Sequence, residues 1–456
     1  MLELLLPLQR LFKPVLILLL LWSSYRTIFM RDRAVGLVLY LALVIIVDSF
    51  LNTGIFIPGM EYGSIRYSEV CALFLILYNP PKRYSKRDNR LFFKLLFLYF
   101  FLYLVAAFRG ITIEDGLNNF RRYIIPQITA LWVAYRGFDK DEDYGRFLFY
   151  FMTLLILIAL FTFWDVFFDR WIMFSEGLNT QTYSSGRKNG RFGSFFLNPN
   201  YMGAFAVLVF PVIFIRTLLE RNIIKTVFCW TGVLALTFAF VETQSRGPML
   251  SLLVAMSFFI FMPTKGYSFI KKTAFLIVLV FVIYLFMPGF FEHAIERFST
   301  IESEMAMDKK SRNTVWEYTI EVIRNNPLLG VGLGEITYFK RMIQAGFREE
   351  MMARPLDNPH NSYLEIAVTA GIPALILFIS FNAVLIRKGI SKILALSESA
   401  KDNSLYLMGF IAGLLGFLAC LFPDMYLFTQ NVAPAYWIIF GLTYSIAIKA
   451  EGPEEA

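Results

Sequence analysis

KRYSKRDNRLFFKLLFLYFFLYLVAAF, Lys82–Phe108, decides the fold class. Lys82, Arg83, Lys86, Arg87 and Arg90 crowd one short segment, and an apolar run follows at once from Leu91. That run is close to the roughly 20 residues a helix needs to cross a bilayer. Similar runs start near Ala34, Ile65, Phe120, Phe147, Asn200, Ile223, Gly247, Lys272, Asn361, Ser404 and Asn431. Together they predict about twelve transmembrane helices joined mostly by short links. Lipid offers backbone amides no partner, so helices rather than open sheets are expected. Composition points the same way. The chain is 57% hydrophobic and 17% charged, with 49 phenylalanines, and its mean hydropathy is +0.57. A water-facing globule needs more polar surface than this. The expected fold is an all-α polytopic membrane protein with one large outer loop that contains helices.

A net charge of +8 invites a nucleic-acid partner, but the placement of the bases argues for none. They gather in alternate loops: the Lys82–Arg90 group, then Arg216, Arg221 and Lys225, then Lys265, Lys271 and Lys272, then Arg387, Lys388 and Lys392. The positive-inside rule assigns these loops to the cytoplasm, with membrane lipids as the surroundings. Segments 169–199 and 289–359 then face outward. The predicted organisation is an N-terminal segment 1–30, a helix bundle 31–288, a large outer loop 289–359 and C-terminal spans 360–456. In the first segment Pro7, Arg10, Lys13 and Pro14 interrupt the apolar residues. That leaves an interfacial helix or an additional span, with no small-x-small site for a cleaved signal. In the outer loop, Ser311 is placed to cap a helix through Trp316, Ile320 and Ile323 that ends before Pro327. Cys71, Cys229 and Cys420 lie in separate apolar stretches and read as core residues rather than ligands or disulfides.

Three polar motifs interrupt the apolar pattern where outer-facing helices should begin. They are RFGSFFLNPN (Arg191–Asn200), SRGP (Ser245–Pro248) and NPHNSYLE (Asn358–Glu365). Each carries proline at or near a first helical turn, behind a residue able to cap. A helix start presents unbonded amides and the positive end of the helix dipole. In the third motif Asp357 or Asn358 is predicted to cap, which puts His360 and Asn361 in the opening turn. His360 is then either a base that accepts a proton or an interfacial residue that only caps or packs. Arg191 reads either as an anion ligand or as a headgroup contact. Arg246, pressed between two apolar runs, is harder to leave without an anionic partner. Guanidinium groups match phosphate oxygens in pairs, so two arginines with helix starts suit a diphosphate. Asn200 and Asn361 stand ready to orient groups at two of the starts. Arg312 either contacts substrate or braces its loop. Gly330–Gly334 (GVGLG) has no preceding strand and no following lysine, and it reads as a tight turn rather than a phosphate loop. With two isolated histidines and no paired-ligand spacing, neither a metal nor any cofactor is expected.

These stretches resemble the bacterial O-antigen ligase and polymerase superfamily. The matching segments are Arg191–Asn200, Thr243–Gly247, Arg312–Gly334 with its R…W…NPLLGVGLG, and NPHNSYLEIAVTAGIP from Asn358 to Pro373, in the family's order. The resemblance implies about a dozen helices, a large periplasmic loop between late spans, and placement in the inner membrane with the active site facing the periplasm. It implies a glycan donor linked to undecaprenyl diphosphate, held by Arg191 and Arg246, with His360 essential. It also implies an acceptor sugar hydroxyl, on lipid A–core for a ligase or on the next lipid-linked glycan for a polymerase. One departure stands out: Asn358 occupies a position where many ligases carry a second histidine. A lipid-linked glycan transporter is the competing class, since it too would grip a diphosphate with arginines.

Overall fold

A computed structural model describes residues 2–48, 65–77, 89–138, 142–168, 187–188, 191–263, parts of 269–280, 314–347, 358–395 and 401–449. The described chain is mostly helical. It opens with α1 (Leu2–Ile28), which runs unbroken through Pro7 and Pro14. Next come α2 (Arg33–Ala42), extended by a π-helical turn Leu43–Val47, then α3 (Tyr67–Leu77) and α4 (Asn89–Arg109). After α5 (Ile113–Asn119) a π turn Phe120–Ile124 leads into α6 (Ile125–Ala134) and then α7 (Glu142–Phe168). A two-residue hairpin, β1 (Arg187–Lys188) with β2 (Arg191–Phe192), precedes α8 (Pro199–Leu219), α9 (Ile223–Glu242) and α10 (Arg246–Phe261). The later elements are α11 (Thr314–Asn325), α12 (Glu335–Gln344), α13 (Ser362–Ala370), α14 (Ile372–Ala395), α15 (Lys401–Cys420) and α16 (Val432–Lys449).

Among the described residues, five helices are long and apolar enough to cross a membrane: α4, α7, α8, α9 and α14. Six shorter apolar helices of 10–17 residues accompany them. The protein is a multi-pass membrane protein. Its centre is α8, for which 83% of the apolar window is buried inside the protein. Small residues let α15 approach it closely. A Cβ added at Gly413 would lie 2.0 Å from the Leu208 carbonyl oxygen, and one at Gly409 would meet Val212. This crossing carries the start of α8 toward the turn that follows α15.

Two expected spans are built differently. The run from Phe120 begins as the π turn and becomes α-helical only at Ile125. The run from Asn361 is split by Gly371, at φ +90°. A loop docks into that break: the amide of Ile372 donates to Pro327 O at 2.8 Å, and those of Val331 and Gly332 donate to Val368 O and Thr369 O. A Cβ at Gly371 would sit 2.3 Å from Leu328 O, so only glycine fits there. The same bonds explain GVGLG. Its Val331, Gly332 and Leu333 amides are taken by protein carbonyls, the last by Ala106 O. They are therefore not turned toward an anion. Above α13, the amphipathic helices α11 and α12 close a second, smaller core from Val315, Val322, Tyr338 and Met342 against Ala367 and Val368.

Candidate active site

The first motif folds back on the helix it introduces. Asn198 caps α8, accepting the Asn200 amide at 2.9 Å, and Pro199 takes the first helical position, as the sequence pattern predicts. Ser194 and Leu197 both adopt left-handed backbone, and buried Phe195 and Phe196 anchor the turn. Arg191 is thereby returned to the helix start. Its Nη2 donates to Asn200 Oδ1 and to Ser245 Oγ, both at 2.7 Å, and its Nε donates to Thr243 O at 2.9 Å. Ser245 Oγ in turn donates to Asn200 Oδ1 at 2.9 Å. Two donors on Oδ1 fix the orientation of the Asn200 amide, and its Nδ2 donates to Asp424 Oδ2 at 3.0 Å.

Asp424 joins the two halves of the site. Its Oδ1 accepts the Met425 amide at 2.8 Å and faces His360 Nδ1 at 3.4 Å, while its backbone oxygen accepts the Ser362 hydroxyl at 3.0 Å. Burial works against the charged carboxyl, but His360, the Met425 amide and Asn200 outweigh it and hold its pKa below the usual carboxylate range. A carboxylate beside Nδ1 selects the tautomer with the proton on Nδ1, which leaves Nε2 as the proton acceptor. The His360 side chain keeps 40% of its surface exposed, so a substrate can reach it.

His360 is not in the opening turn of its helix. Asn361 is the N-cap, accepting the amides of Tyr363 and Leu364, and α13 begins at Ser362. Pro359 therefore lies outside the helix, Asn358 Oδ1 accepts the His360 amide at 2.9 Å, and His360 itself sits at φ +49°. The reason is competition between caps. Asn361 satisfies two amides of the first turn, which Asp357 or Asn358 could do only by drawing His360 into the helix. A non-glycine residue in left-handed backbone is an uncommon conformation that clusters at functional sites. Trp316 Nε1 donates to Pro359 O at 2.8 Å and steadies the peptide just before it.

Arg246 is the first residue of α10, behind Ser245. The two residues that follow it meet the rest of the site: a Cβ at Gly247 would lie 2.9 Å from Pro423 Cγ, and Pro248 packs on Gly203 of α8. The structure thus gathers Arg191, Asn200, the start of α10, Asn361 and His360 around Asp424. Arg312 lies outside the described residues. Asp424 is the participant that motif reading missed. Its signal was present all the same, because it is the only charged residue between Asp402 and Lys449.

Residues 231–379 match the family model described as O-antigen ligase. That stretch, about a third of the chain, is similar to the O-antigen ligase family. The matched stretch includes Arg246, His360 and Asn361, whereas Arg191, Asn200 and Asp424 lie outside it and reach it through tertiary contacts. No curated protein matches the chain.

Proposed function

We propose that this protein transfers a glycan from undecaprenyl diphosphate to an acceptor sugar hydroxyl at the periplasmic face of the inner membrane, in the manner of an O-antigen ligase with lipid A–core as acceptor. The observation that carries this reading is the run of contacts Arg191–Asn200–Asp424–His360, which links a cation to a candidate base through one buried carboxylate. In the reaction, Nε2 of His360 takes the proton from the acceptor hydroxyl as its oxygen bonds to the anomeric carbon. The bond from that carbon to the diphosphate oxygen breaks, and the electron pair leaves with the diphosphate. Attack opposite the leaving group inverts the anomeric centre. Arg246 and Arg191 offset the charge that grows on the departing group. Arg191 spends Nε and Nη2 on the protein, so it contributes its charge together with the alignment of Asn200. No step needs a metal, and transfer is expected to persist in EDTA. A dozen spans with the 289–359 loop outside would put this chemistry where no nucleotide sugar is needed.

The deciding experiment places purified protein in vesicles with labelled lipid-linked glycan and candidate acceptors. Release of undecaprenyl diphosphate with label on lipid A–core is the expected result. Label on a second lipid-linked glycan would make the protein a polymerase, and label crossing the bilayer unchanged would make it a transporter.

The same vesicles test the arginines. Arg246→Lys keeps the charge and loses paired phosphate recognition, so the rate is expected to fall about tenfold or more. Arg191→Lys, which keeps the charge but drops the bonds that orient Asn200, is expected to fall at least as far. Wild-type rates in both variants would remove the diphosphate from this site.

A further inference from the structure

We propose that Trp316 and Phe422 form a subsite for a sugar ring of the acceptor glycan, beside His360. The proposal rests on the transferase reading and adds where the acceptor lies. Trp316 belongs to α11 and Phe422 to the turn after α15, and their rings meet edge to face at 5.6 Å and 75°. Rings set nearly at right angles form a corner rather than a closed stack. Both are tied to the site. The Trp316 indole is oriented by its bond to Pro359 O, the residue before His360. Phe422 is two residues from Asp424 and is 58% exposed, in the same turn that supplies the carboxylate.

The order of contacts selects the acceptor over the donor. From Arg191 the contacts pass through Asn200 and Asp424 to His360, and Trp316, with Phe422 against it, is bonded to Pro359 O at the His360 end of that run. In an inverting transfer the diphosphate and the attacking hydroxyl lie on opposite sides of the anomeric carbon, and the base lies with the hydroxyl. The aromatic corner is on the base side. A hydroxyl that gives its proton to His360 holds its own ring within a few ångströms of the imidazole. The C–H groups on one face of a pyranose carry slight positive charge, which suits the negative face of an aromatic ring. The indole plane, fixed by its hydrogen bond, is ordered before the sugar arrives.

Phe422→Leu keeps an apolar residue of similar size and removes the ring. Its acceptor KM is expected to rise about tenfold, the loss of one aromatic contact. Its kcat and donor KM should stay near wild type, and Phe422→Tyr should restore the acceptor KM. An unchanged acceptor KM, or a shift confined to the donor KM, would overturn the proposal. Binding is measured separately by calorimetry on the full-length protein, with soluble oligosaccharide released by mild acid from the cells' own lipopolysaccharide. Saturable binding that Phe422→Leu weakens supports the subsite even if wild type transfers nothing, a result that would overturn the transferase reading alone. Absence of saturable binding by the wild type, or equal binding by Phe422→Leu, would overturn the subsite.

Discussion

His360→Ala is expected to lower glycan transfer by about a thousandfold, within the range that a positioned general base contributes. The half-exposed side chain is not part of either core, and the bond from its amide to Asn358 Oδ1 does not involve the imidazole. Expression and donor retention should therefore stay close to wild type. Because alanine tolerates left-handed backbone poorly, His360→Asn is the companion variant. Asparagine adopts that conformation more readily but cannot take up the proton, so it should be equally inactive. The measurement is undecaprenyl diphosphate release from reconstituted vesicles, with donor binding assayed alongside. Near-normal release by His360→Asn would make the histidine a structural residue and remove the base from the mechanism.

Asp424→Asn is expected to reduce kcat by about a hundredfold, the lower end of what a positioned general base contributes, because the carboxylate that orients His360 is neutralised. The carboxylate accepts hydrogen bonds at both oxygens, from Asn200 on one side and from Met425, with His360 facing it, on the other. An amide has only one acceptor oxygen. Whichever way it turns, its NH2 meets a donor, and flipping Asn200 to compensate would break the bonds from Arg191 and Ser245 to Asn200 Oδ1. A buried donor left without an acceptor costs about 1–3 kcal/mol, so the thermal midpoint should drop as well. The donor KM is expected to change less than kcat, and a variant with wild-type kcat would free His360 from this partner. Because the Asp424 pKa is depressed, its charge, with the stability it adds, is present above the unfolded value of about 3.9 and is lost only as pH falls through its lower folded value. From about pH 5 upward the carboxylate stays charged, so its bonds to Asn200 and Met425 are expected to hold across the neutral range.

Much of the architecture was legible along the chain because lipid imposes a one-dimensional rule: long apolar runs must be helices. That rule found α4, α7, α8, α9 and α14, and Asn198–Pro199 marked the start of α8 to the residue. It did not find the break at Gly371, because hydropathy does not change there. The break exists because a loop from a distant segment supplies Pro327 O and takes the carbonyls of Val368 and Thr369. The candidate site divides along the same line. Arg191, Arg246 and His360 announced themselves by local pattern, a polar group at a helix start. The register of the third motif was decided by which asparagine capped, and Asn361 won because it bonds two amides at once. Asp424 had no motif at all. Its lone charge among apolar residues showed that partners were required, and only tertiary packing chose them: the close crossing of α8 and α15 at Gly413 brings Asn200, and the bonds of Ser362 to Leu421 O and Asp424 O bring His360. Hydropathy and caps act within one segment and can be read from sequence order, whereas this buried charge is satisfied by groups 224 and 64 residues away, which only tertiary packing can choose.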